Sequence, residues 1–172
     1  IFGVLSNYQT PGRFDMRLRI PPDLVGKAAD RVSFRDGFDR NDAYMYLATS
    51  QDMFLEYPTQ NNSIARYTDR GDIWLFTNTH DGSTWSRSVV NSSNGGSFVP
   101  RAACQIEALA NLGDVSLVAS TEIDSGGADW TRTLVHWKGH YFAVLDRLEA
   151  RQDDDYTFVC RWRSLQSAVL NN

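Results

Sequence analysis

The sequence predicts an all-β fold, an antiparallel β-sandwich of about ten or more strands. Three observations predict it: alternation of apolar and polar residues, turn signals at nearly regular spacing, and an abundance of aromatic side chains. Five Trp, seven Tyr and nine Phe are strand formers that also fill the thick layer between two stacked sheets.

Alternation is strongest near the start, where Phe14, Met16, Leu18 and Ile20 face one way and Arg13, Asp15, Arg17 and Arg19 the other. That is the pattern of a half-buried strand. Pro21-Pro22 ends it, and residues 21–30 read as a linker. The chain thus divides into an N-terminal strand and linker (1–30) and a sandwich (31–172). Short β-prone runs follow at Arg31 to Arg35, Ala43 to Thr49, Ser63 to Thr68 and Ile73 to Thr77. Asp69-Arg70-Gly71 reads as a three-residue hairpin loop whose glycine supplies a left-handed bulge. Further strands are predicted at Trp85 to Asn91, Val115 to Ile123, Trp130 to Trp137, Tyr141 to Leu148 and Tyr156 to Arg163, with Lys138-Gly139 turning one hairpin. Ala102 to Leu109 fits a helix by composition, but Cys104, Ile106 and Ala108 alternate with Gln105 and Glu107, which favours a strand. Ser92 to Ser97, enclosing Asn94-Gly95-Gly96, reads as a loop.

A chain of 172 residues suits one domain that buries roughly 70% of its unfolded surface. The net charge of -4 and pI near 5.3 arise from interspersed acids and bases. There is no basic stripe to track phosphates, which argues against a nucleic-acid partner. No apolar run approaches the roughly 20 residues of a membrane-spanning helix, and no signal peptide is legible. The chain opens at Ile1-Phe2-Gly3 and is expected to be a processed or excised part of something longer. Its two cysteines, Cys104 and Cys160, lack Cys-x-x-Cys spacing; two buried free thiols are the plain expectation, and a disulfide between neighbouring strands stays open. Phosphate-cradling glycine loops and Gly-x-Ser-x-Gly elbows are missing, so nucleotide and serine-hydrolase chemistry have no foothold.

Several phrases, in order, resemble the C-terminal sandwich of the heparinase II/III-like, polysaccharide-lyase-related family. They are Phe34-Arg35-Asp36-Gly37, Asn62-Ser63-Ile64, Arg66 to Gly71, Ile73-Trp74-Leu75, Leu112-Gly113-Asp114, Trp130-Thr131-Arg132-Thr133, Leu145-Asp146-Arg147 with Glu149-Ala150, and Tyr156 followed by Trp162-Arg163. The resemblance implies a module that in its parent follows an α/α toroid, absent from this chain. It also implies a periplasmic or secreted home and β-elimination of an acidic, uronate-containing polysaccharide in the cleft between toroid and sandwich. Elimination beside a uronic carboxylate needs a base, an acid for the leaving oxygen and positive charge for the enolate.

In the family the sandwich often contributes a His-x-His-x-Asp-x-Asn-like stretch that includes a metal ligand. At the matching positions this chain has Glu56, Tyr57, Pro58, Thr59, Gln60, Asn61 and Asn62, so only Asn62 survives. Thr77 and Asn78 stand where an aspartate is expected, and no histidine occurs near Ser86 to Val89. No metal or other cofactor is therefore expected, and the isolated chain is expected to be inactive. Tyr57 and His80, the latter displaced beyond the Ile73 strand, are the remaining catalytic candidates; Asn62, Trp85 and Arg87 are the candidate substrate contacts, the last two as a stacking surface and a carboxylate-pairing cation. The bland alternatives are a packed strand-end Tyr57 and an outward-facing Trp85–Arg87 pair. A non-catalytic carbohydrate-binding or structural sandwich is the competing function.

Three histidines, His80, His136 and His140, show no metal-ligand spacing, and ordinary surface roles are expected of His136 and His140. Arg132, Asp146, Arg147 and Arg163 read as a structural ion-pair network, because charges inside strands need partners. Asp153-Asp154-Asp155 lacks the spaced ligands of a calcium loop and reads as a solvated turn.

Overall fold

A computed structural model of the chain describes residues 3–4, 29–49, 61–77, 90–93 and 104–164, and every regular element among them is a β-strand. In chain order these are β1 (Gly3–Val4), β2 (Ala29–Arg35), β3 (Tyr44–Ala48), β4 (Ser63–Asp69), β5 (Asp72–Phe76), β6 (Val90–Ser93), β7 (Gln105–Asn111), β8 (Val115–Ser125), β9 (Ala128–Trp137), β10 (Tyr141–Ala150) and β11 (Thr157–Cys160). Strands β1 to β5 form one sheet and β7 to β10 a second, each ordered as in the chain, while β6 and β11 make a two-stranded ribbon. All pairings are antiparallel. Beyond β11 the chain touches the first sheet again through a bridge between Ser164 and Leu75.

One hydrophobic cluster takes side chains from both large sheets: Val32, Phe34, Met45, Leu47 and Ile64 from the first, Val118 and Leu134 from the second. Strand β9 shows how alternation builds it. Ala128, Trp130, Arg132, Leu134 and His136 are buried, whereas Asp129, Thr131, Thr133 and Val135 are half-buried on the other face. Leu134 lies in the apolar centre. Arg132 and His136, two positions to either side, carry polar groups into both ends of the core, about 13 Å apart at a strand's rise per residue.

Turn chemistry sets the hairpins. Asp69 pairs with Asp72, so the β4–β5 loop is the two residues Arg70 and Gly71, with φ of 53° and 81°. Two consecutive positive φ values give a primed turn that follows the twist of its strands, rather than the three-residue bulged loop expected from Asp69-Arg70-Gly71. Gly126 and Gly127, with φ of 63° and 87°, close β8–β9 in the same way. The β9–β10 loop spans Lys138 to His140, closed by the His140 amide donating to the Trp137 carbonyl at 3.0 Å.

In the segment Ala102 to Leu109 the chain enters a strand, as its alternation favours: β7 begins at Gln105 and runs on to Asn111. Strand β2 starts at Ala29 and so takes the last two residues of the expected linker, and Ser92 and Ser93 belong to β6 rather than to a loop. The alternating stretch 13–20 lies outside the described residues. Both cysteines are free, Cys104 buried and Cys160 exposed, so the expected pair of buried thiols holds only for Cys104. No helix among the described residues is long and apolar enough to cross a membrane.

Candidate functional site

Asn62 is the one predicted site residue that falls within the described part of the chain; Tyr57, His80, Trp85 and Arg87, with the stretch 56–60, lie outside it. It sits immediately before β4 in a left-handed conformation, φ 57°, which asparagine tolerates better than most residues. The side chain is fully buried. Its Nδ2 donates to the carbonyls of Ser120 at 3.1 Å and Trp130 at 3.2 Å, and its Oδ1 accepts from the Ser120 hydroxyl. Every polar atom of the amide is thus spent on β8 and β9, tying the first sheet to the second, and none faces solvent where a sugar would lie.

The Asn62 carbonyl in turn accepts from Arg132 Nη1 at 2.8 Å. Arg132 is fully buried, and its Nε and Nη2 form a bidentate pair with the Asp146 carboxylate at 2.8 and 2.9 Å. Asp146 Oδ1 also accepts from the Trp130 indole at 2.9 Å. The guanidinium carbon lies 4.7 Å from the Trp130 ring centre and 5.5 Å from that of Trp162, within cation–π range of both. Two of the four expected ion-pair residues, Arg132 and Asp146, therefore do make a structural pair. Arg147 does not join them: it points outward, 69% exposed, toward Glu149 at 3.5 Å.

Cys104 and Glu122 are buried beside this network. Burial pushes the Cys104 thiol well above its usual range, the Glu122 carboxylate adds to the rise, and the Asn62 backbone and the Arg132 guanidinium oppose it. Around Asn62, the Ser63 and Thr77 hydroxyls bond each other at 3.2 Å, and Thr77 donates to the Ile64 carbonyl at 3.2 Å. Thr77, which stands where the family resemblance calls for an aspartate, pins the end of β5 to the start of β4. Chemically this end of the sheets is a rigid framework, with its positive charge neutralised by Asp146 and its thiol held protonated.

The opposite end holds a cleft of about 220 Å³, framed by the β2–β3 loop, the β4–β5 turn and the β9–β10 loop. His136 is buried, not at the surface as expected; its Nε2 donates to Asp36 Oδ1 at 2.6 Å, and its ring stacks on Phe142 at 4.3 Å with 5° between planes. Tyr67 packs edge-on against Phe142 at 5.3 Å. Burial raises the Tyr67 hydroxyl above its usual pKa, helped by Asp69 and then Asp36 and opposed by Arg70, so the phenol remains a proton donor. The Arg70 amide donates to the Asn41 carbonyl at 3.1 Å and the Asp39 amide to Asp42 Oδ2 at 2.8 Å, which preforms the loop walls. Sequence reading missed this site because its central pair is 100 positions apart. The legible signal was the turns Asp36-Gly37, Arg70-Gly71 and Lys138-Gly139, which the order of the hairpins brings to one end.

No group of three or more His, Cys, Asp or Glu among the described residues converges to hold a metal ion. Comparison of the chain with protein-family models, with curated proteins and with solved structures returned no match.

Proposed function

We propose that this chain is a β-sandwich module, its two sheets stacked face to face, of a polysaccharide-lyase-related protein of the heparinase II/III-like kind. In its parent it supports β-elimination of uronate-containing polysaccharide at a cleft shared with an α/α toroid, outside the cytoplasm. Its own share is structural. The observation that carries this reading is the convergence of Asn62, Trp130, Arg132 and Asp146. They come from three of the resembling phrases, Asn62 and Arg132 being 70 positions apart, and they close into one hydrogen-bonded network. That network fixes the backbone where the family's histidine-bearing stretch would end, while Glu56 and Pro58 replace the histidines.

A base, an acid and a free cation are the requirements of elimination, and Arg132 is committed to Asp146 and the Asn62 carbonyl. The toroid must then provide most of the reactive groups. The test offers uronate polysaccharides to the parent protein and to the 172-residue chain and follows the ultraviolet absorbance of the unsaturated product. Turnover by the parent and none by the chain alone is the expected result. Turnover by the chain alone would refute this division of labour, and polysaccharide affinity without turnover in the parent would assign a binding module instead.

A further inference from the structure

We propose that the β10 edge of the second sheet is a self-association surface, at which two copies of this chain pair β10 with β10, antiparallel, about a two-fold axis. The other edges of the two large sheets point to it by contrast. An unpaired strand edge is a template for another chain, so folded proteins keep such edges short, bulged or covered. At one edge of the first sheet β1 has two residues and a register shift, and only Val32 to Arg35 of β2 extend past it. At the other edge β5 is covered by the Leu75–Ser164 bridge and by the Phe76 amide donating to the Arg163 carbonyl at 3.4 Å. In the second sheet β7 carries a bulge between Ile106 and Ala108.

Strand β10 has none of these devices. It runs ten residues in unbroken register with β9, contains no Pro, Gly or Lys, and pairs with no strand among the described residues on its other side. Its inward charge, Asp146, does not guard the edge, because Arg132 neutralises it.

The outward side chains of β10 specify the occupant. Tyr141 and Leu145 are 54% and 58% exposed, and Arg147 and Glu149 lie 3.5 Å apart. Those two charges cancel, so the edge selects neither an acidic nor a basic peptide. A second copy presents the same row and closes the assembly at two. A two-fold axis normal to the sheet keeps outward residues opposite outward ones, which leaves two registers of full overlap. One centres on Asp146 and sets two carboxylates against each other. The other centres on Leu145, sets that apolar side chain against its own copy, and brings Arg147 diagonally to the partner's Tyr141, within reach of a cation–π contact. The second register is the one proposed, and it does not rest on the lyase-related reading.

Sedimentation velocity of the 172-residue chain over roughly 1 to 300 μM is expected to show a reversible dimer with a Kd below about 100 μM. Leu145→Lys, at an exposed position, sets two ammonium groups opposite each other and should weaken the dimer about tenfold or more, with an unchanged melting curve confirming the fold. Leu112→Lys, 73% exposed but beyond β7 at the far edge of the same sheet, should leave it unchanged. In a Cys160→Ser background, which removes the exposed native thiol, Leu145→Cys should be linked by oxidised glutathione into a covalent dimer, since directly opposed residues hold their Cβ atoms about 5 Å apart. A chain monomeric throughout would overturn the proposal and leave β10 to a strand of another protein. A dimer that Leu145→Lys spares, one that Leu112→Lys weakens equally, or a failure to cross-link at position 145 would overturn it as well.

Discussion

Arg132 concentrates the physics of this protein in one side chain. A buried guanidinium loses several kcal/mol of hydration, which is recovered only if each N–H finds a partner in good geometry. Here the Asp146 carboxylate takes two of its nitrogens, the Asn62 carbonyl a third, and the Trp130 ring lies against its face. Arg132→Met should destabilise the chain by on the order of 3 to 5 kcal/mol, because it strands Asp146. The double variant Arg132→Met/Asp146→Leu should recover much of that loss, since two apolar groups leave no unpaired charge. Urea unfolding midpoints measure both, and a double variant no more stable than the single would show that the hydrogen bond to Asn62, not the ion pair, dominates. The sequence exposed Arg132 and Asp146 as charges inside strands, hence in need of partners. It did not expose Asn62 as their third member, because the resemblance marks Asn62 as a substrate contact and nothing local to it announces its partners on β8 and β9.

At the scale of elements, turns carry most of the information. Arg70 holds φ 53°, a conformation that costs a residue with a Cβ about 1 kcal/mol, and a two-residue primed turn favours Asn before Gly. Arg70→Asn should therefore stabilise the β4–β5 hairpin by roughly 0.5 to 1 kcal/mol, read as a higher urea midpoint with unchanged slope. A fall in midpoint would mean that Arg70 makes a stabilising contact worth more than its backbone strain. The strands themselves were largely legible. β8, β9 and β10 were marked nearly to their ends, since each is long, and β8 and β9 bury one face. Loop length was less so: whether Asp69 pairs with Asp72 depends on register, which is set by packing across the sheet. The Asp36–His136 pair was illegible for a related reason. Nothing local to either residue announces the other; the β2–β3 loop and the end of β9 meet because two sheets do.

For the whole molecule, the buried thiol and phenol predict how stability responds to alkali. Cys104 and Tyr67 both titrate above their usual values in the folded chain. Below about pH 8.5, where an unfolded thiol still holds its proton, both states bind it equally and stability is fully present. Above that, the unfolded chain releases a proton the folded chain keeps, so stability falls as pH rises, with a limiting slope of about 1.4 kcal/mol per pH unit for one group. Tyr67 adds a second decline from about pH 10. Unfolding midpoints in urea should be level near neutrality and drop through this range. Cys104→Ala should flatten the first decline even though it lowers stability at pH 7; an unaltered profile in that variant would assign the decline to other groups.

The meander order of the two large sheets has a kinetic consequence. Each strand in them is laddered to its neighbours in the chain, and the β4–β5, β7–β8, β8–β9 and β9–β10 ladders close loops of only a few residues and lose little chain entropy in doing so. The long-range event is docking, when the Asn62 turn meets Ser120, Trp130 and Arg132 and the guanidinium must shed its water. Folding is therefore expected to wait on this one desolvating encounter, with the polar latch between Asn62 and Arg132 as its last part to form.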